Sequence, residues 1–297
     1  HSFPTRRSSD LTFENEYHIE ALVGSEICYM QLPDKYIVRK ISNQHYILIG
    51  DGIQNTTKYV FRLIREIIVR LEENSGKIFM HGTSLVTDGY GICILGNKGS
   101  GKTTYFSKLL SLGKSSIISN DRTFLYFENI AKMDYFPIPI VYKLGSVENN
   151  IFLKKNVLES GKYDLPESFK SAKTSFPVPL TDVPNFFPNV TFQQKTSLDM
   201  IIFSKIDFES PFAFESKLIS KEEAKKRMLE TCFTPIDYES HRRPWIYPRN
   251  KSDYEIEREV ALTIEKIVSS VPVYVVEFGK DIYDEELYIQ TKLMLEG

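Results

Sequence analysis

Gly96-Asn97-Lys98-Gly99-Ser100-Gly101-Lys102-Thr103 carries the most readable chemistry in the chain. It fits G-x-x-x-x-G-K-[ST], a turn whose backbone N–H groups can close around phosphate oxygens. Lys102 would reach the outer phosphates and Thr103 would ligate Mg²⁺. Gly96 through Thr104 form the expected nucleotide-binding set for a nucleoside triphosphate with Mg²⁺. A bound triphosphate also needs a carboxylate for the metal and for the attacking group. Asp121 is the candidate, because it follows a strand-like run, and ligands gather at the carboxyl ends of strands in α/β sheets. His81 is the second candidate, able to approach the terminal phosphate and hydrogen-bond a carboxylate. A third lies in the loop from His241 to Arg249, where Arg242, Arg243 and Arg249 match phosphate geometry and no choice among them is made.

These residues need a strand, a turn and a helix to hold them. Gly91-Ile92-Cys93-Ile94-Leu95 reads as a short buried strand entering the turn. Thr104 to Leu112 reads as the helix leaving it, with Gly113 as its terminator. The Asp-Gly signal at Asp88-Gly89 makes the entering strand the second arm of a hairpin begun at Ser84-Leu85-Val86. Ser116 to Ser119 forms a strand ending at Asn120-Asp121-Arg122, and Phe124 to Phe127 pairs with Ala131 to Phe136. From Pro137 to about Phe192 prolines interrupt the pattern, which predicts an excursion outside the central sheet, either a lid or acceptor surface or a packed decoration without a function of its own. Leu198 to Phe203 and Val273 to Phe278 read as buried strands. Ser220 and Ser252 open capping boxes on two helices, and a last helix runs from about Asp284 to Leu295.

Before the hairpin, Thr12 to about Gly76 reads as a small α/β region. Four strand-like runs precede a helix whose Val60, Leu63, Ile64, Ile67, Ile68 and Leu71 share one face, expected to pack, with Arg62, Arg65, Glu66 and Glu73 outside. Asn55 or Thr56 would cap it. The segment His1 to Leu11 reads codon by codon like the end of a common short-read sequencing adapter, so it is set aside from the fold, and the natural N-terminus is expected to be missing. The expected divisions are 1–11, 12–76 and 77–297.

Bulk properties narrow the function class. The chain has 297 residues with 37 basic and 39 acidic ones, which leaves no electrostatic footprint for nucleic acid. Its three cysteines lack paired spacing, which argues against a zinc site or a disulfide framework and suits a cytoplasmic location. No apolar run approaches a membrane span.

One decoy competes. Ser204-Lys205-Ile206-Asp207 resembles the guanine-reading [NT]-K-x-D of GTPases, and Lys205 lies 103 residues after Lys102. Between them Asp121, Asp134, Asp164 and Asp182 all lack the glycine of a D-x-x-G loop.

The succession Met80-His81-Gly82, Asp88-Gly89-Tyr90-Gly91, Gly96 to Thr103, Gly113 and Asn120-Asp121-Arg122 resembles the HPr kinase/phosphorylase family and its kinase-like relatives. The resemblance covers Ile78 to about Leu125. It implies an α/β fold with a mixed sheet, of the kind shared with the phosphoenolpyruvate carboxykinases. It also implies nucleotide and Mg²⁺ at Lys102 and Thr103, a histidine near the reacting phosphate at His81, and a metal-linked carboxylate at Asp121. Asn120 stands where that family has a first aspartate resembling a general base, and an amide cannot take a proton. Asp121 is left to assist the acceptor, or the acceptor loses its proton late. The second family signature, which supports dephosphorylation, is not recognisable, which counts against phosphorylase activity and against HPr as acceptor. Similar divergent kinases phosphorylate a serine of natural-product precursor peptides. The leading expectation is an ATP- and Mg²⁺-dependent kinase for a serine-type hydroxyl of a peptide, small protein or metabolite. A GTPase-like switch and a non-catalytic nucleotide-binding module remain as alternatives, and the oligomeric state, homo-oligomer included, stays open.

Overall fold

A computed structural model describes residues 17–21, 27–31, 36–50, 52–112, 114–136, 138–148, 150–159, 175–235 and 247–297. Chain contacts divide it into two units. One comprises the described residues of His1–Lys77 and Thr234–Ile256; the other comprises those of Ile78–Phe233 and Glu257–Gly297.

In the first unit β1 (Tyr17–Ala21), β2 (Ile27–Gln31), β3 (Tyr36–Ser42) and β4 (His45–Gly50) form an antiparallel sheet in chain order. The helix α1 (Ile53–Asn74) follows. Val38, Tyr46, Leu48 and Leu63 make a small core. Two expectations fail here. Gly52, with φ 82°, caps α1, while Thr56 lies inside the helix and donates its hydroxyl back to the Gly52 carbonyl at 2.7 Å. The predicted packing stripe is only partly used: Val60, Ile64 and Leu71 are exposed, and Tyr59, Val69, Arg70 and Glu73 are buried instead. Glu73 goes inside because two guanidiniums neutralise it, Arg70 directly and Arg249 at 3.3 Å. Arg249 also donates to Asp253 and to the Pro235 carbonyl, so it is a strut within this unit. His241, Arg242 and Arg243 lie outside the described residues.

The second unit begins with β5 (Ile78–Met80), β6 (Gly82–Thr87), β7 (Tyr90–Leu95), α2 (Lys102–Leu112), β8 (Ser115–Ser119), β9 (Thr123–Phe127) and β10 (Ala131–Asp134). The proline-rich stretch holds β11 (Ile140–Lys143), α3 (Leu144–Glu148), α4 (Ile151–Leu153), a π-helical turn (Lys154–Glu159), β12 (Ser175–Val178), a 3₁₀ turn (Leu180–Asp182), α5 (Val183–Phe186) and β13 (Thr191–Phe192). Then come β14 (Lys195–Ser197), β15 (Met200–Asp207), β16 (Phe214–Leu218), α6 (Lys221–Thr231), α7 (Asp253–Ser270, its residues to Ile256 counted with the first unit), β17 (Val273–Gly279) and α8 (Asp284–Glu296).

A seven-stranded mixed sheet, ordered β13-β8-β6-β7-β15-β17-β16, forms the backbone of this unit. The chain is therefore of mixed α/β class. Strands β7, β15 and β17 run parallel; their apolar runs suit burial on both faces. Strand β6 is antiparallel to both β7 and β8, so β8 points the same way as β7. The β6–β7 hairpin turns at Asp88 and Gly89, both at positive φ (50° and 89°), as a tight two-residue turn requires. The stretch expected to avoid the central sheet touches it after all: β13 pairs in parallel with β8 at the sheet edge. A separate antiparallel sheet, β14-β10-β9-β5, carries a ring cluster of Phe79, Phe124 and Phe136 with centroids 4.9–5.6 Å apart. Ser252 caps α7 with both bonds of its capping box, while at α6 Ser220 accepts the Glu223 N–H but the Glu223 carboxylate goes to Arg227 instead of closing the box.

Helix α2 buries Tyr105, Phe106, Leu109 and Leu110 in the main core with Ile92, Ile94, Met200 and Ile202. It is also tied to α8. Tyr105 and Thr291 share a 2.7 Å hydrogen bond, and Lys108 Nζ reaches Asp284 Oδ1 at 2.8 Å, both side chains being buried. Burial pushes the Asp284 carboxyl up, and Lys108 offsets only part of that. Removing one partner strands a buried charge. Asp284→Ala is expected to lower unfolding free energy by about 3–5 kcal/mol, read from urea denaturation. A paired Lys108→Met/Asp284→Leu change should recover most of the loss; no recovery would mean that packing, not the stranded charge, sets the cost. Among the described residues no helix is long and apolar enough to cross a membrane.

Candidate active site

Strand directions bring the predicted residues to one end of the sheet. The loop Gly96–Gly101 leaves the carboxyl end of β7. Gly82 of β6 pairs with Leu95, so His81, just before it, stands at the same end. The carboxyl end of β8 delivers Asn120 and Asp121 there as well. A bulge sharpens this delivery: the register slips between Ser84↔Ser119 and Leu85↔Ile117, which bends β8 just before the turn.

The loop's conformation depends on its glycines. Gly96, Gly99 and Gly101 all have positive φ (144°, 86° and 90°). Gly101 is the most constrained: a Cβ there would lie 2.8 Å from Phe278 Cζ and 3.0 Å from Ile206 Cβ. Any side chain would meet both a strained backbone and an occupied space. Lys102 Nζ curls back over the loop and donates to the carbonyls of Gly96 (2.7 Å) and Asn97 (3.0 Å). Its cation is thereby held inside the curve. The first turn of α2 offers donors. Tyr105 N–H closes on the Gly101 carbonyl at 2.9 Å, while the N–H groups of Thr103 and Thr104 donate to no group among the described residues. These orphans, with the helix dipole, attract an anion. The Thr103 hydroxyl likewise has no partner among the described residues, whereas Thr104 turns its hydroxyl to Ser146 at 3.3 Å. Thr104 keeps only its N–H for a ligand. Asn97, Lys98 and Gly99 are exposed, and Ser100 contacts Ser204 at 3.3 Å.

Opposite the loop, Asp121 sits in the left-handed region (φ 63°), with its side chain half exposed. Thr83 holds it there. The Thr83 hydroxyl accepts the Asp121 N–H at 3.1 Å and donates to Asn120 Oδ1 at 3.2 Å. Asn120 is thus buried in a structural bond, and its amide supplies no base. His81 Nε2 lies 3.5 Å from Asp121 Oδ1, and Arg122 Nε lies 3.6 Å from Oδ2. Phe233 braces both: its ring stacks on His81 at 5.2 Å, and the Arg122 guanidinium lies 4.9 Å from its centre. Phe233 reaches the site because the chain after α6 lines up beside β5. There the Phe233 N–H donates to the Phe79 carbonyl at 2.7 Å, and the His81 N–H donates to the Thr231 carbonyl at 2.9 Å.

Partial burial works to raise the Asp121 pKa, but His81, Arg122 and Lys102 outweigh it and hold the carboxyl below its usual range. A depressed folded value means that its stabilising contribution is present above the unfolded pKa, about 4, and is lost as pH falls below that. Asp121 is therefore an anion throughout the neutral range. A ¹³C titration of aspartate carboxyls, assigned by comparison with Asp121→Asn, should place its midpoint below the ordinary aspartate value. A midpoint well above the ordinary carboxylate range would show that burial dominates.

The decoy residues lie at the same sheet end but are taken up by other partners. Lys205 pairs across the strands with Glu277 at 2.7 Å, and Asp207 Oδ1 accepts the Glu209 N–H at 2.8 Å. Thr83 and Phe233 were not foreseen. Thr83 had one faint signal, a hydroxyl one residue past His81-Gly82 on a strand entering the site; Phe233 had none.

The residues suit a magnesium nucleotide. Mg²⁺ commonly takes one or two protein oxygens and completes its shell with phosphate and water. Thr103 and Asp121 supply that kind of donor set. No cluster of three His, Cys, Asp or Glu forms a metal site of its own among the described residues.

No protein-family profile matches the chain, and no curated protein matches it. Among solved structures it has a distant structural relationship to the Hpr(Ser) kinase/phosphatase from Coxiella burnetii. The sequences are 12% identical, and the match covers 74% of this chain and 99% of that one at a TM-score of 0.31.

Proposed function

We propose that the chain is an ATP- and Mg²⁺-dependent phosphotransferase with a P-loop kinase fold, acting on a hydroxyl acceptor. The observation that carries this reading is the convergence of Lys102, the free N–H groups of α2, His81 and an ionised Asp121 at one sheet end. Phosphoryl transfer needs little more than positioning and charge stabilisation. The loop from Gly96 to Thr104 binds the phosphates. Lys102 stabilises charge on the outer ones. Thr103 and Asp121 would hold Mg²⁺, which when bound would supply charge neutralisation at the phosphate oxygens. Asp121 faces the acceptor hydroxyl and takes its proton, with His81 and Arg122 fixing the carboxylate. Asn120 acts through Thr83 by holding the Asp121 turn.

The acceptor proposed from the sequence resemblance is a serine-type hydroxyl on a peptide, small protein or metabolite. A cytoplasmic location follows from the same reading. The guanine-switch alternative loses support because Lys205 and Asp207 are already engaged.

The test is ³¹P NMR of ATP, Mg²⁺ and the full chain with a panel of hydroxyl acceptors, including serine-containing peptides. A phosphomonoester signal rising as ATP falls is expected, and it should vanish with EDTA. Release of inorganic phosphate alone, unaffected by any acceptor, would turn the reading to a hydrolase.

A further inference from the structure

The phosphate loop leaves the middle of the sheet, so its two sides have different tasks. On one side β6 and β8 bring His81 and Asp121 to where the terminal phosphate would react. The nucleoside must then extend the other way, over the carboxyl ends of β15 and β17. That side is packed directly against the loop, through the Ser100–Ser204 contact and the fit of Gly101 against Ile206 and Phe278.

The turns that follow β15 and β17 are knitted together. Lys280 N–H donates to the Asp207 carbonyl at 3.0 Å, Asp281 N–H to Pro211 at 2.8 Å and Gly279 N–H to Ala213 at 2.8 Å. Three large rings stand out of this rigid knot: Phe208, Phe212 and Tyr283 are 66%, 59% and 63% exposed. Phe212 and Tyr283 stack on each other, with centroids 5.8 Å apart and planes 26° from parallel. Single exposed apolar residues are ordinary, but a stacked pair with a third ring beside a ligand loop is a patch with a use.

We infer that Phe212 and Tyr283, with Phe208 in the same turn, form a stacking platform for the nucleobase. The inference rests on the nucleotide reading above. Aromatic faces bind any base by its π surface. Reading of base edges would need free polar groups, and two at the end of β15, Lys205 and Asp207, are bound to Glu277 and Glu209. The platform therefore binds purines without choosing strongly between adenine and guanine.

The test is a binding titration of the full chain with ATP, GTP and inorganic tripolyphosphate, the last being a probe with no base. ATP and GTP affinities should differ by less than about tenfold. Phe212→Ala/Tyr283→Ala should weaken both nucleotides by roughly 5- to 100-fold and leave tripolyphosphate unchanged. The Phe212→Tyr/Tyr283→Phe pair should keep nucleotide affinity. Unchanged ATP affinity in the alanine variant overturns the platform, as does an equal loss of tripolyphosphate, or a wild type that binds tripolyphosphate no more weakly than ATP. A wild type that binds none of the three probes overturns the nucleotide reading itself.

Discussion

Lys102→Ala is expected to lower phosphoryl transfer by roughly 10²–10³-fold or more and to weaken ATP binding, with the fold intact. The size follows from where the charge sits. Nζ is held by the Gly96 and Asn97 carbonyls at 2.7 and 3.0 Å, inside the curve where negative charge would gather. The side chain is buried, so its field is weakly screened. Lys102→Arg should rescue little, because a planar fork does not fit a cradle built for a compact ammonium. Turnover of each variant against melting temperature separates loss of the Lys102 charge from loss of the fold. Full phosphoryl transfer in Lys102→Ala would overturn the phosphotransferase reading of this loop.

Asp121→Asn should cost about 10²–10⁴-fold in kcat, the range for losing a positioned acid–base group. The ATP affinity measured without Mg²⁺ should barely move, since in the proposed reading the loop makes the phosphate contacts. With Mg²⁺ the affinity should fall, because one proposed metal ligand would have lost its charge. Asn keeps the size, and the backbone bond from Asp121 N–H to Thr83 does not depend on the carboxylate. Equal losses in kcat and in metal-free ATP affinity would instead mark Asp121 as a support for the loop. A wild type that binds ATP but transfers phosphate only after Asn120→Asp would favour the non-catalytic module.

Local signals made much of this site legible. Asp88-Gly89 could turn only one way between two apolar runs, which fixed the hairpin in front of the loop. The serines of both capping boxes bond as their spacing implies, because capping depends on neighbours three residues apart. The tight turn at Gly96 to Gly101 was readable because Gly96, Gly99 and Gly101 have backbone reasons to be glycine. What stayed hidden depends on distant partners. Glu73 looked solvent-facing because its helix pattern could not show Arg249 arriving from far along the chain. Phe233 became a brace for His81 only because the segment after α6 lies along β5. The short β13 lies in a proline-rich stretch with no strand period, and pairing with β8 alone recruits it. Asn120 read as a damaged base from its position, whereas its bond to Thr83 shows what the amide holds in place.

The central claim is that Gly96 to Thr103 binds a nucleotide through its phosphates beside Asp121. Calorimetric titration of the full chain with ATP, in Mg²⁺ and again in EDTA, tests it most directly. The expected result is one ATP per chain, bound more tightly with Mg²⁺, displaced by tripolyphosphate and weakened in Lys102→Ala. Absence of saturable ATP binding in the folded wild-type chain, or identical binding by wild type and Lys102→Ala, would contradict it.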